Sequence, residues 1–154
     1  MARLEEIPLS ERKMMETLDC SGFEGRRPWV KGPPLNKRRV ALVSTAALSL
    51  RNDKVYQRDE TAFRIIPSNV NAGDVVMSHS SVNFDRTGFQ QDLNVCFPLQ
   101  RIHDLAAEGV IGSVANFHFT VSGAPHPVDL EPSARAIARA MQSDGVDTVL
   151  LVPI

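Results

Sequence analysis

VVMSHSSVNFDRTGFQQDLNVCFPLQRI occupies residues 75–102, and its order of residue types sets the fold class. The apolar run at its start reads as a buried strand, and Pro98 near its end reads as the first residue of a helix. Residues 77–98 lie between them and hold His79, Asp85 and Asp92, the amides Gln90, Gln91 and Asn94, and Cys96. A polar connection between a buried strand and a helix is where α/β proteins place their chemistry, because strand ends converge there. Residues 77–98 are therefore the candidate site.

Working outward, Leu99, Ile102, Leu105 and Ala106 repeat at helical spacing, and Gly109 closes that helix. His103 falls off the apolar stripe and reads as a surface residue. In residues 113–121, Val114, Asn116, His118 and Thr120 alternate with Ala115, Phe117, Phe119 and Val121. The pattern predicts a strand with one apolar face and His118 on the other. Residues 123–127 turn the chain and leave His126 exposed. A last helix opens at 131–133 and buries Ala134, Ile137, Ala138 and Met141, with Gly145 after it; residues 147–153 (DTVLLVP) form a final buried strand.

Upstream, residues 40–44 (VALVS) are apolar on both faces, as in a covered parallel sheet. This strand delivers Ser44, Thr45, Ala46 and Ala47, small residues that admit a ligand or offer N–H groups to an anion. Neither GxGxxG nor GxxxxGK[ST] is present, so nothing supports nucleotide binding. Residues 51–61 read as a surface loop, 63–66 as a strand ended by Pro67, and 74–77 as the next buried strand. A short helix begins at Ser10, with Leu9, Met14, Met15 and Leu18 on a face packed against the domain body and Gly22 as its stop. Residues 25–36 are a proline-rich arm that Trp29 anchors on the core, and the basic residues between Arg26 and Arg39 are a solvated approach to the first strand.

The order of elements predicts an α/β fold with a mostly parallel sheet and covering helices, Rossmann-like in its winding. It divides the chain into an N-terminal helix and arm, residues 1–37, and an α/β domain, residues 38–154. A length of 154 residues suffices for a real core, and 43% hydrophobic with 23% charged residues is ordinary soluble composition. The net charge of -1 gives no reason to expect nucleic acid or an anionic membrane as partner. No apolar run approaches the roughly 18 residues a bilayer span needs. Cys20 and Cys96 form no disulfide or zinc framework, which points to a reducing, cytoplasmic setting. The last strand is apolar and has no covering helix after it, so the sheet is expected to be incomplete at its C-terminus.

RRVALVSTAAL (38–48), FRIIP, VMSHSSVNFDRTGFQQDLNVCFPLQRI, LAAEGVIGSVANFHF and DGVDTVLLVP together resemble the selenoprotein B reductases. That family comprises component B of glycine, sarcosine and betaine reductase and the selenoprotein subunit of D-proline reductase. The resemblance runs from about residue 28 to the C-terminus, and the S-H-x-x-x-N-x-D, Q-Q-D-x-N and E-G-V-I-G-S stretches are its specific part. It implies reductive cleavage of a C–N bond in a small amino-acid-like substrate by a selenolate or thiolate. It also implies a pyruvoyl group on a partner subunit and other reductase subunits as partners; separately, an exposed apolar last strand would favour self-association. No cofactor resides in this chain; the resemblance places a selenocysteine immediately after Ile154, encoded by a recoded UGA, so the 154 residues alone are expected to be inactive.

On this reading His79, Asp85 and Asp92 are catalytic: His79 steadies the nucleophile or protonates the leaving amine, and the aspartates orient it or hold a substrate ammonium. Ser44, Thr45, Asn83, Asn94 and His118 bind substrate, while Cys96 and Cys20 are structural thiols. Two alternatives stay open. One is a non-catalytic binding or assembly module on the same fold. The other is a metal-dependent hydrolase with His79, Asp85, Asp92 and His118 as ligands, although no HxH or HExxH spacing is present.

Overall fold

In a computed structural model, which describes residues 4–17, 25, 29–80 and 86–154, the chain falls into two units, Met1–Lys31 and Gly32–Ile154. In the first unit, α1 is Leu9–Glu16. Leu9 and Met15, on its apolar face, are exposed. Leu18, Cys20 and Gly22 lie outside the described residues, as does the side chain of Met14. Trp29, expected as the anchor of the arm, is 82% exposed, in a segment without regular structure.

The second unit is built on β1 (Arg39–Ser44). After it come β2 (Leu48–Leu50), β3 (Arg64–Pro67) and β4 (Val75–Met77), then α2 (Thr87–Gln91) and α3 (Leu99–Ala107). The order ends with β5 (Ser113–Val114), β6 (Phe117–Thr120), α4 (Glu131–Ser143) and β7 (Thr148–Val152). β1 pairs in parallel with β5 at its start, with β6 at its end and with β7 along most of its length. β3 closes the far side of β6 in antiparallel register, and β2 and β4 form a separate antiparallel pair. The result is a mixed α/β unit with a mostly parallel sheet.

Alternation along β1 separates two cores. Val40 and Leu42 join Ile66, Phe97, Leu99 and Ile102 under α3, while Ala41 joins Phe119, Val121, Ile137 and Met141 under α4. Helices thus cover the sheet on both sides, which is why β1 carries apolar residues on both faces. Two glycines of the EGVIGS stretch are explained by backbone geometry. Gly109 takes φ 73° to end α3, and a Cβ on Gly112 would meet the Lys37 backbone at 2.6 Å.

The strand expected over 113–120 is two strands, because the partner of β1 carries extra residues. Val40 aligns with Val114 and Val43 with Phe119, three steps on one strand against five on the other. His118 fills the gap: its Nδ1 accepts the Leu42 N–H at 3.0 Å, standing in for a strand carbonyl. The ring is fully buried and meets Phe97 edge-on at 6.0 Å. The apolar face is buried at Ala115, Phe119 and Val121 as expected, but the opposite face is covered too: His118 lies fully inside, and Phe117 is 49% exposed. The amino ends are clamped by Arg39, which donates to Asp144 Oδ1 and to the Val114 carbonyl, both at 2.7 Å. Burial opposes the charge on Asp144, yet bonds from Arg39 and Asn116 hold its carboxyl below the usual range.

β7 also departs from expectation. It is an edge strand, with Val149 41%, Leu150 42% and Leu151 69% exposed, because among the described strands only β1 pairs with it. The supposed surface loop over 51–61 buries Tyr56, whose hydroxyl donates to the Thr120 carbonyl at 2.6 Å beneath the Arg64 guanidinium.

Burial lowers the pKa of His118 to about 4, since a proton on Nδ1 would displace the Leu42 N–H in a dry interior. The unfolded chain therefore binds more protons than the folded one between about pH 6.5 and 4. Folding stability is expected to be intact near pH 7 and to fall as pH drops through that window, by on the order of 3 kcal/mol from this residue. Urea midpoints between pH 7.5 and 4 measure it. His118→Gln should lose that part of the slope, and equal slopes in the two proteins would contradict the assignment.

Candidate functional site at the carboxyl ends of β1, β4 and β7

β1 ends in Ser44, and Thr45 follows it out of the sheet. The Thr45 hydroxyl accepts the Ile154 N–H at 2.9 Å and donates to the Ile154 carbonyl at 3.3 Å. The Thr45 N–H meanwhile donates to the Val152 carbonyl at 3.2 Å. One residue thus holds the β1 and β7 ends together and fixes the chain as it leaves the sheet. Ala46 bridges Ser122, and the position of a Cβ on Gly123 lies 3.4 Å from Thr45, so the 122–123 turn packs against the same spot.

Ala47 adopts φ 51°, the one left-handed non-glycine among the described residues. Such backbone in a side-chain-bearing residue costs about 1–2 kcal/mol and persists where its surroundings hold it. They do: the Ala47 N–H donates to the Val121 carbonyl and its own carbonyl accepts from Ser78 N–H. That second bond sets the end of β4 beside the end of β1. His79 comes next in the chain, partly buried, and Arg86 Nη2 donates to its carbonyl at 2.5 Å. Burial and the Arg86 charge both push the His79 pKa below its ordinary value, so its imidazole is neutral at pH 7. The Ser78 hydroxyl is buried with no partner among the described residues.

Of the residues singled out from sequence, Thr45 and His79 come together at this edge. Ser44 sits beneath it, fully buried, donating to the Cys96 carbonyl at 3.0 Å. Asp92 and Asn94 instead build a turn: Asp92 Oδ1 accepts from the Asn94 N–H and side-chain amide, and those bonds lower its pKa. Asn94 Oδ1 then accepts the Gln100 N–H at the start of α3. Both line an open cleft of about 380 Å³ with Ser68, Gln91, Gln100 and His103. His118 lies in the core, and Asn83 and Asp85 lie outside the described residues.

Among the described residues, no three of His, Cys, Asp and Glu converge as metal ligands. The metal reading also needs His118, which is buried with Nδ1 on the Leu42 N–H. Arg86 and Ser78 were missed from sequence. Arg86 stood in plain view between Asp85 and Thr87, but nothing in the spacing shows that its side chain turns back to His79.

This geometry defines a mixed α/β protein with a mostly parallel sheet and a candidate site at the strand ends near Thr45 and His79. The family of glycine/sarcosine/betaine reductase selenoprotein B matches residues 35–153, and the chain belongs to that family. D-proline reductase subunit gamma of Acetoanaerobium sticklandii is 32% identical over 120 residues, covering 76% of this chain and 49% of the relative. The sarcosine reductase complex component B subunit beta of Peptoclostridium acidaminophilum is 26% identical over 124 residues, covering 76% of this chain and 28% of the relative. The chain thus spans about half of the first relative and 28% of the second. No solved structure matches. No described helix is long and apolar enough to cross a membrane.

Cys96 is a free, fully buried thiol whose pKa is pushed up to about 11 by desolvation. It is expected to resist alkylation while the protein is folded and to react once it is unfolded. Thiol titration of a Cys20→Ser variant in native buffer and in denaturant checks this. Rapid native labelling would contradict it.

Proposed function

We propose that this chain is the N-terminal part of a reductase subunit that cleaves a C–N bond in a small amino acid or its N-methyl derivative: glycine, sarcosine, betaine or D-proline. The observation that supports the reading is the Thr45 hook on Ile154, which holds the chain just past β7. Thr45 also packs against the 122–123 turn, and the Ser78 N–H on the Ala47 carbonyl brings the end of β4 to the same edge.

We place the selenocysteine, or a cysteine, at the residue after Ile154, encoded by a recoded codon. A selenolate or thiolate there would supply the nucleophile that opens the C–N bond. Thr45 holds its backbone. His79, neutral at pH 7, accepts a proton on one ring nitrogen and returns it to the departing amine. Substrate activation by a carbonyl on a partner subunit belongs to the same proposal.

The relatives are named as subunits, and the exposed face of β7 supports a subunit role for this chain. Leu151 borders an apolar groove of about 260 Å³ formed with Val43, Val121, Ile137 and Met141, a surface suited to further polypeptide from another subunit or another copy. The passage of the chain from β6 through α4 to β7, on the other side of β1, supports a Rossmann-like winding. A buried free thiol accords with a reducing, cytoplasmic setting.

The test is amine release from D-proline, glycine, sarcosine or betaine with a dithiol as reductant. The 154-residue chain alone is expected to release none. The chain read through a UGA after Ile154, assembled with its partner subunits, is expected to turn over, and His79→Gln should slow it about a hundredfold. A UAA or UAG codon at that position, or turnover by the 154 residues alone, would sink the proposal.

A further inference from the structure

Arg86, at the start of α2, donates from Nη2 to the His79 carbonyl at 2.5 Å. An arginine on a main-chain carbonyl seven residues back ties the two positions together with one planar, permanently charged group. The pinned residue is the partly buried histidine at the strand edge described above, and its main chain is tied on the other side as well, through the Ser78 N–H on the Ala47 carbonyl. A role as helix cap fits Arg86 less well, because its side chain forms no cap bond to the backbone of α2.

We propose that Arg86 is the positioning residue of His79: its guanidinium fixes where the histidine stands at the strand edge and supplies the permanent positive charge beside it. His79 is then left to give and take a proton. This rests on the reading of His79 as a site residue. Among the described residues, the charged group whose field reaches the His79 ring is Arg86, and its effect adds to that of burial. The two parts of the role are separable, because lysine keeps the charge and loses the planar fork, while glutamine loses the charge.

The experiment is imidazole titration by NMR on the 154-residue chain, with the His79 signal assigned by its absence in His79→Gln. The wild-type midpoint is expected below the ordinary histidine range. In Arg86→Gln the protonation constant should rise about threefold, as a nearby charge is removed at a partly exposed site. Arg86→Lys should stay close to wild type. An ordinary or raised midpoint in the wild type overturns the proposal without any variant, and so does an unchanged midpoint in a folded Arg86→Gln. The readout is independent of amine release. A positive titration with no effect of Arg86→Gln on turnover in the assembled enzyme would leave the positioning intact and count against the reductase reading.

Discussion

β1 is hydrogen-bonded along both edges for most of its length, and where it ends decides where everything else ends. Its partner on one side, β7, runs in register with it from Val40 to Ser44. On the other side the partner is too long by two residues, and the His118 ring absorbs the excess by taking the Leu42 N–H. A buried N–H without a partner would cost about 1–3 kcal/mol, so the ring nitrogen is a structural necessity at that register. With β1 settled, Thr45 and Ala47 are placed at its end, and through them Ile154 and Ser78. The site is a consequence of strand register more than of its own side chains.

Much of the fold was legible in the sequence for plain reasons. α3 and α4 lie where their apolar stripes predict, burying Leu99, Ile102, Ile137 and Met141 but leaving Leu105, Ala134 and Ala138 exposed; their stops fall at Gly109 and Gly145, and β1 and β4 lie where continuous apolar runs predict them. The misreadings share a cause. Alternation in residues 113–120 identified a strand and its buried apolar face, but an inserted pair of residues splits the strand and draws His118 into the core, and periodicity carries no sign of the insertion. β7 has a core composition yet lies at the edge, because composition does not count neighbours. Tyr56 sits in a run of polar residues, and only the fold shows that its hydroxyl reaches Thr120.

The candidate site was legible in part. The described residues just after β4 do lie beside the carboxyl end of the sheet, as their place between strand and helix implies. The chemistry of residues 77–98 divides, however. His79 stays at the edge, while Asp92 and Asn94 are drawn into the turn that starts α3, because short polar side chains bond their own backbone as readily as a ligand. Burial and the neighbouring Arg86 both disfavour a charge on His79. The fixed positive charge at that point belongs to the arginine. That division of labour suits chemistry in which an anion is held and a proton is moved.

Thr45 fixes the exit of the chain from β7, and amide hydrogen exchange at Ile154 tests this most directly. The Ile154 N–H is expected to exchange at least about fivefold more slowly than in a free chain, as one side-chain hydrogen bond of ordinary strength would give. The protection should survive Thr45→Ser, which keeps the hydroxyl, and vanish in Thr45→Val, which keeps the shape. Free-chain exchange in the wild type, or protection untouched by Thr45→Val, would contradict it.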